Sequence, residues 1–78
     1  MAWVTSFELK KAGSGKLHPT RLVGQVKVFE PDAGKAIVQI DTFGSDEREM
    51  PNKQSQTIQF GRESAHQLFT ILKETYGF

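Results

Sequence analysis

The chain contains no cysteine, which excludes disulfide bonds, thiolate metal ligands and a thiol nucleophile. Its 78 residues suffice for one domain, 1–78, with a small core that needs support from elsewhere, so association between copies is expected. Long hydrophobic runs are also missing, since none approaches the roughly 20 residues that span a bilayer. The apolar start is followed by charge, the reverse of a secretory signal, so we expect a soluble cytoplasmic or nucleoid-associated protein with no membrane partner.

Histidine is scarce, and its placement argues against metal chemistry. His18 and His66 are far apart and neither has a partner at ligand spacing, so we expect no metal site and no Ser-His-Asp arrangement. Four acids lie closer together: Asp41, Asp46, Glu47 and Glu49. They lack both the glycine frame of an EF-hand and a companion base, so solvated loop side chains are expected. The sequence therefore predicts no enzyme activity and no cofactor.

Charge of the two signs is nearly balanced, with ten Lys and Arg against nine Asp and Glu and a net charge of +1. The whole chain is therefore not a polycation that would bind any phosphate polymer. The cations are concentrated in segment 10–27, which has no acid and contains Lys10, Lys11, Lys16, His18, Arg21 and Lys27. Any nucleic-acid site must depend on this local placement of charge.

The first half of the chain reads as strand, connector and strand. Residues 2–9 alternate in the manner of a short strand. Trp3 and Phe7 fit either face of the sheet, and burial in the core is favoured because they are large rings in a small protein. Residues 10–19 combine glycine, proline and charge without periodicity, which predicts a flexible connector. A second strand is predicted over 20–30 and a third over 35–42, joined by a Pro-Asp-Ala-Gly turn as an antiparallel hairpin.

The second half predicts one more strand and then a helix. Residues 54–60 form the fourth strand, and 44–53 connect it to the third. Apolar residues then recur at spacings of three and four, which predicts an amphipathic helix from about Arg62 to Tyr76 with a left-handed stop at Gly77. The predicted class is α+β: a four-stranded antiparallel sheet followed by one C-terminal helix, in the order β-β-β-β-α.

One helix covers only one face of such a sheet, so residue parity assigns the two faces. The predicted helix side carries Leu22, Val26, Val28, Ala36, Val38, Ile40, Ile58 and Phe60. The opposite parity carries Arg21, Val23, Gln25, Lys27, Phe29, Ile37, Gln39, Asp41 and Phe43. Cations, amides and rings on one face suit a platform for unpaired nucleic acid, because bases stack on rings while Lys and Arg follow the phosphates. An ordinary solvated sheet face has the same pattern, so both interpretations stay open.

A resemblance to a known family covers residues 20–76, and mainly 35–76. The segments that carry it are KAIVQIDTFG, a charged loop with a Pro-Asn-Lys tip, QSQTIQF and GRESAHQLFTILKETYGF, in this order. They resemble the transcriptional positive-cofactor family of single-stranded DNA binders. The resemblance implies an antiparallel sheet backed by one helix, and a homodimer whose sheet surfaces hold unpaired strands.

The resemblance also implies which residues bind. Matching positions are Lys35, Gln39, Phe43, Arg48, Lys53, Gln54 and Gln56. Together with the face described above, the hypothesis has Phe29, Phe43 and Trp3 stacking on bases while Arg21, Lys27, Lys35, Arg48 and Lys53 neutralise phosphates. The dimer interface is assigned to Leu68, Ile71, Leu72 and Tyr76 on the helix.

The leading hypothesis is thus non-enzymatic binding of single-stranded or locally melted DNA, with RNA as a variant, in transcription, replication or repair. A hypothesis of another class is a protein-protein interaction module that docks a partner on the exposed sheet face or an open strand edge. The two differ in their sensitivity to salt, because only the first depends on phosphate contacts.

Overall fold

The computed structural model describes residues 1–43 and 54–78. The elements are β1 (Ala2–Val4), β2 (Gln25–Asp32), β3 (Lys35–Phe43), β4 (Gln54–Phe60) and α1 (Arg62–Tyr76). The predicted α+β class and the order β-β-β-β-α are confirmed, and β4 and α1 have the predicted bounds. β1 is shorter than predicted, because only three residues pair and the chain leaves the sheet after Val4.

The β2–β3 hairpin is confirmed, but its turn is tighter than predicted. Asp32 pairs with Lys35, so Ala33 and Gly34 alone form the loop. Gly34 has a φ of 77°, a left-handed conformation that glycine adopts at no steric cost because it lacks a β-carbon. Pro31 therefore lies inside β2 rather than in the turn. A strand at the edge of a sheet tolerates proline because one side of its backbone makes no ladder, and the register is irregular between Phe29 and Asp32.

The prediction of an all-antiparallel sheet was wrong, since the sheet is mixed. Its strand order is β1-β4-β3-β2, and β1 pairs with β4 in parallel, with Ala2 opposite Ile58 and Val4 opposite Phe60. β2, β3 and β4 pair antiparallel. A hairpin forces its two strands to run antiparallel, but β1 and β4 are distant in sequence and no tight turn fixes their relative direction. Residues 5–24 instead carry the chain from one edge of the sheet to the other.

Helix α1 has the ends that its sequence predicts. Glu63 lies in the first turn and Lys73 in the last, where each charge is favourable to the helix dipole. The backbone is left-handed at Gly77, with a φ of 73°, and its N–H donates to the carbonyl of Lys73 at 2.8 Å. Gly61, directly before the helix, is in an extended conformation and supplies no side-chain cap.

The register divides the sheet into two faces. The apolar face is defined by Val26, Val28, Val38, Ile40, Ile58 and Phe60, which are paired across neighbouring strands. The polar face is defined by Lys27, Gln39, Asp41, Thr57 and Gln59, which are likewise paired. Because side chains alternate along a strand, each residue of one set is flanked by members of the other.

The core lies on the apolar face, around Phe60. Among the described residues, Phe60 is the one apolar residue that is buried. The ring of Phe7 contacts the ring of Phe60 edge to face, with the centroids 5.8 Å apart. The Phe7 N–H also donates to the side-chain oxygen of Gln67 on α1 at 2.7 Å. Phe7 therefore ties the segment after β1 to both the sheet and the helix, as its predicted place in the core requires.

The helix covers only part of the apolar face. α1 packs mainly on β3 and β4, and its most covered stripe is Ser64, Leu68 and Ile71. Strand β2 is exposed along its whole length, with Val26 and Val28 at 63% and 67% exposure, so their predicted burial was wrong. Leu22, also assigned to the core, lies before β2 and is exposed. A single helix is too narrow to reach the edge strand.

The Phe7 contact gives a stability prediction. We expect Phe7→Ala to lower the free energy of unfolding by about 2 kcal/mol, roughly half the loss for a fully buried ring, because Phe7 is partly exposed. Phe78→Ala is the matched control, since that ring is exposed beyond the helix, and it should change the value by less than about 0.5 kcal/mol. Urea unfolding followed by circular dichroism measures both. Equal losses would contradict an anchoring role for Phe7.

Candidate nucleic-acid interface

The polar face is built as cross-strand rows. In one row Lys27, Gln39 and Gln59 lie side by side on β2, β3 and β4. In the next row Asp41 lies beside Thr57. Residues directly opposite each other in antiparallel strands have close side chains, so these five groups can bond across the strands.

Asp41 is the centre of this arrangement and has 0% exposure. The Thr57 hydroxyl donates to Asp41 Oδ1 at 2.7 Å. The amide nitrogen of Gln39 donates to both carboxylate oxygens at 3.0 and 3.1 Å, and Lys27 Nζ lies 3.2 Å from Oδ2. The prediction that Asp41 is a solvated loop acid was therefore wrong. It lies within β3, where neighbouring strands provide donors that replace water.

These contacts keep Asp41 ionised. The hydrogen bond from the Thr57 hydroxyl is the largest effect and lowers the pKa of the carboxyl, assisted by Gln39 and by the positive charge of Lys27. Burial opposes them, because it disfavours the charged form, but the net pKa lies below the ordinary value of 3.8. At neutral pH the polar face thus contains a buried carboxylate that accepts hydrogen bonds and donates none.

The carboxylate fixes the orientation of two amides. Because ionised Asp41 only accepts, Gln39 must turn its nitrogen toward it and its oxygen away. That oxygen accepts a hydrogen bond from the side-chain nitrogen of Gln59 at 2.8 Å. Gln59 therefore keeps one N–H and its carbonyl oxygen for a ligand. A planar amide presenting one donor and one acceptor matches the edge of a nucleic-acid base.

The ion pair changes the role expected of Lys27. Its side chain is 57% exposed and its charge is balanced by Asp41, so the pair is neutral as a unit. A phosphate near Lys27 would meet the field of both charges, and the attraction is smaller than for an unpaired lysine. Lys27 is better placed to hold Asp41 than to follow a phosphate backbone.

Exposed rings lie on the two edge strands of the polar face, Trp3 on β1 and Phe29 on β2. Trp3 pairs with Gln59 in the register and Phe29 with Ile37, and the two rings are 52% and 39% exposed. The prediction that Trp3 is buried in the core was therefore wrong. A β-carbon built on Gly61 would lie 3.2 Å from the Trp3 ring, so the absence of a side chain there makes room for the indole. The rings and the amide row occupy the same side of the sheet.

The other predicted contact residues are scattered. Arg21 is exposed before β2, Lys35 begins β3, and Phe43 ends β3 half-buried. Gln56 is exposed but pairs with Thr42, which places it on the side of the apolar face and away from Gln39. Three predicted contacts have side chains outside the described residues: Arg48, Lys53 and Gln54, although the backbone of Gln54 begins β4.

Thr57 and Gln59 are part of the polar face and were not predicted. A signal for them exists in QSQTIQF, because they have the parity opposite to Ile58 and Phe60. Since parity assigns Ile58 and Phe60 to the helix side, the same alternation assigns Thr57 and Gln59 to the opposite face.

Outside comparisons supply no assignment for this site. No family model, curated protein or solved structure matches the chain. Across residues 1–43 and 54–78, no three His, Cys, Asp or Glu side chains are grouped as metal ligands. Nor does the same part of the chain contain a helix with the length and apolarity needed to cross a membrane. The function is therefore argued from the geometry of the polar face.

The hydrogen bond from Thr57 to Asp41 can be tested by measuring the pKa of the Asp41 carboxyl. Thr57→Val keeps the side-chain shape but removes the hydroxyl donor, so we expect the pKa of Asp41 to rise toward 3.8. A pH titration of the Asp41 carboxyl carbon by NMR measures this. The matched control is Thr70→Val, because the Thr70 hydroxyl donates to the backbone of His66 on the helix and does not touch Asp41. An unchanged Asp41 pKa in Thr57→Val would contradict the assignment.

The same variant should alter the response of stability to acid. Because the folded-state pKa of Asp41 is lowered, its ionised form adds stability above the ordinary value of 3.8, and this is lost as pH falls through the folded pKa. Thr57→Val reduces the difference between the folded-state pKa of Asp41 and its ordinary value. The variant should therefore lose less stability than wild type between about pH 5 and pH 2. Urea unfolding at the two pH values gives the comparison, with Thr70→Val expected to follow wild type.

Proposed function

We propose that this chain binds single-stranded or locally melted DNA, or unpaired RNA, on its polar face without catalysing a reaction. The observation that supports this best is the oriented amide row of Gln39 and Gln59 beside the exposed rings of Trp3 and Phe29. Bases that are not paired can place one surface on a ring and one edge against an amide.

The rings explain why the preferred ligand is single-stranded. In a duplex the bases stack on one another and their pairing edges are occupied, so neither Phe29 nor Gln59 has a partner there. A flexible single strand can turn its bases toward the sheet. Stacking depends little on base identity, so we expect weak sequence preference, with only the Gln59 amide adding a donor and an acceptor.

The electrostatic contribution should be modest. Lys27 is neutralised by Asp41, which leaves Arg21 and Lys35 as the described cations among the predicted phosphate contacts. Each phosphate contact to a single strand contributes a slope of about 0.7 to the dependence of log affinity on log salt. Arg48 and Lys53 lie outside the described residues and remain predicted contacts. A moderate slope, rather than the steep one of a polycation, is consistent with a net charge of +1.

We also propose that two copies associate. The apolar core of the described residues is centred on one buried ring, which is little for a domain of this size. Leu68 and Ile71 of α1 are half-buried, whereas Leu72 and Tyr76 of the same helix are exposed and available to a second copy. Val26 and Val28 on β2 are also exposed apolar side chains. Burying these side chains in a dimer interface would add folding stability, which this chain cannot obtain from disulfide bonds because it has no cysteine.

The proposed binding of unpaired DNA is compatible with several cellular processes. Transcription, replication and repair all expose unpaired DNA, and a non-enzymatic binder fits each of them. The resemblance to the transcriptional positive-cofactor family favours a coactivator-like role, but the comparisons support no family. The proposal therefore depends on the amides and rings.

Binding is tested by fluorescence anisotropy with a labelled oligothymidylate and with a duplex of equal length. We expect the single strand to bind more tightly, and its affinity to fall between about 50 and 200 mM salt. Phe29→Ala should weaken binding by at least about fivefold, because the ring is a stacking surface. Phe78→Ala removes an exposed ring away from the polar face and should leave affinity unchanged.

A folded protein that shows no shift at low salt would overturn this proposal. The protein-interaction hypothesis would then gain support. It predicts partner binding that is insensitive to salt and is lost when charge is placed at Val23 or Ile37, while Lys35→Ala has no effect.

The association of two copies is tested by analytical ultracentrifugation. Leu72→Glu should shift wild-type dimer to monomer, because it places a charge in the proposed apolar interface. Thr70→Glu adds the same charge to an exposed position on another side of the helix and should remain dimeric. A monomeric wild type at about 100 μM would contradict the proposal, since a stable dimer is far tighter than this.

A further inference from the structure

A second concave region lies beside the start of α1, apart from the amide row. It is a groove of about 750 Å³ between the β2–β3 turn, the first residues of β3 and the first two turns of the helix. Sites for small molecules and cofactors commonly have volumes of roughly 300–1,000 Å³. The side chains and backbone that line it fall into three groups, which together indicate a ligand.

The first group consists of small residues. Gly34, Ala36, Gly61 and Ala65 line the groove and fill little of it. At Gly61 a β-carbon would come within 3.2 Å of the Trp3 ring and 3.9 Å of Ile37 Cδ1, so glycine there lets the indole pack closely against the backbone. Gly34, Ala36 and Ala65 leave space in the groove because their side chains are absent or small.

The second group consists of rings. Trp3 borders the groove from β1, while His66 and Phe69 border it from α1, with their ring centroids 6.4 Å apart and their planes at 30°. Trp3 and Phe69 are 52% and 55% exposed, so each has ring surface available to a ligand. Rings on two different elements favour a flat, partly apolar ligand that can stack.

The third group consists of the cations Lys35 and Arg62. Neither takes part in the ion pairs found among the described residues, which are Lys10 with Glu8 and Lys27 with Asp41. A purely apolar occupant, such as a hydrophobic segment of a second copy, would lie against two cations without offering them a counter-charge. A ligand that carries an anion next to its flat ring satisfies both sets of side chains.

We propose that this groove binds one nucleotide, with its base against Trp3 and Phe69 and its phosphate held by Arg62 and Lys35. The ligand class is a base joined to a phosphate, either as a free nucleotide or as the end of a nucleic-acid strand. This site goes beyond the binding of a strand on the polar face, because Phe69, His66 and Arg62 belong to the helix. Trp3 borders both regions, so a strand on the polar face can continue into the groove.

The fluorescence of Trp3, the one tryptophan of the chain, reports binding directly. Titration with adenosine 5′-monophosphate should give a saturable change, adenosine should bind about fivefold more weakly, and inorganic phosphate alone should give no change. Phe69→Ala should weaken nucleotide and nucleoside alike by about fivefold or more, since both lose a stacking surface. Phe69 is more than half exposed, so this variant is expected to fold, which circular dichroism verifies.

Arg62→Ala should remove the difference between nucleotide and nucleoside while leaving nucleoside binding intact. Lys73→Ala, an exposed cation at the other end of the same helix, is the matched control and should preserve the difference. The proposal is overturned if the nucleotide gives no saturable change, or if Arg62→Ala and Lys73→Ala behave alike.

Competition separates the two sources of ligand and the two proposed sites. A short oligonucleotide with a 5′-phosphate that displaces the nucleotide better than its 5′-hydroxyl counterpart supports a strand end as ligand, and equal displacement supports a free nucleotide. If the nucleotide binds but no oligonucleotide binds at the polar face, the proposed nucleotide site is supported and the proposed strand-binding function is overturned. If the oligonucleotide binds with unchanged affinity in Phe69→Ala and no nucleotide binds, the groove proposal alone fails.

Discussion

One constraint shapes this protein: in residues 1–43 and 54–78, one fifteen-residue helix packs against a sheet of four strands. Such a helix can cover two strands of one face, and it does so on β3 and β4. The edge strand β2 keeps its valines exposed, and the opposite face carries the polar row of Lys27, Gln39 and Gln59. Both the proposed association of two copies and the proposed binding face follow from this imbalance.

The side chains of the polar face are held by hydrogen bonds and an ion pair. Asp41 is fully buried yet accepts hydrogen bonds from Thr57 and Gln39 and pairs with Lys27. A buried carboxylate is tolerated only when donors surround it, and here the antiparallel register provides them from both neighbouring strands. The consequence extends outward, because the direction of the Gln39 amide determines which atoms Gln59 presents to a ligand.

Much of the fold was predictable because its signals are local. The period of the helix, Gly77 at its end and the bounds of β4 depend on residues within a few positions of one another. The hairpin was also predictable, yet its turn moved to Ala33 and Gly34, since an edge strand admits Pro31 where a central strand would not. The contact residues were predicted less well: Gln39 lies in the polar face, whereas Gln56 lies on the other side of the sheet.

The amino-acid sequence alone predicts the element order, the helix with its ends, and the alternation that separates Gln39 and Asp41 from Val38 and Ile40. These depend on backbone preferences and on the two-residue period of strands, which act locally. Three features depend on contacts made in the folded chain: β1 pairs in parallel with β4, Trp3 lies beside Gly61, and Asp41 is a buried acceptor. Each of these joins residues distant along the chain, and no local preference specifies which strand becomes a neighbour or which donor meets which acceptor.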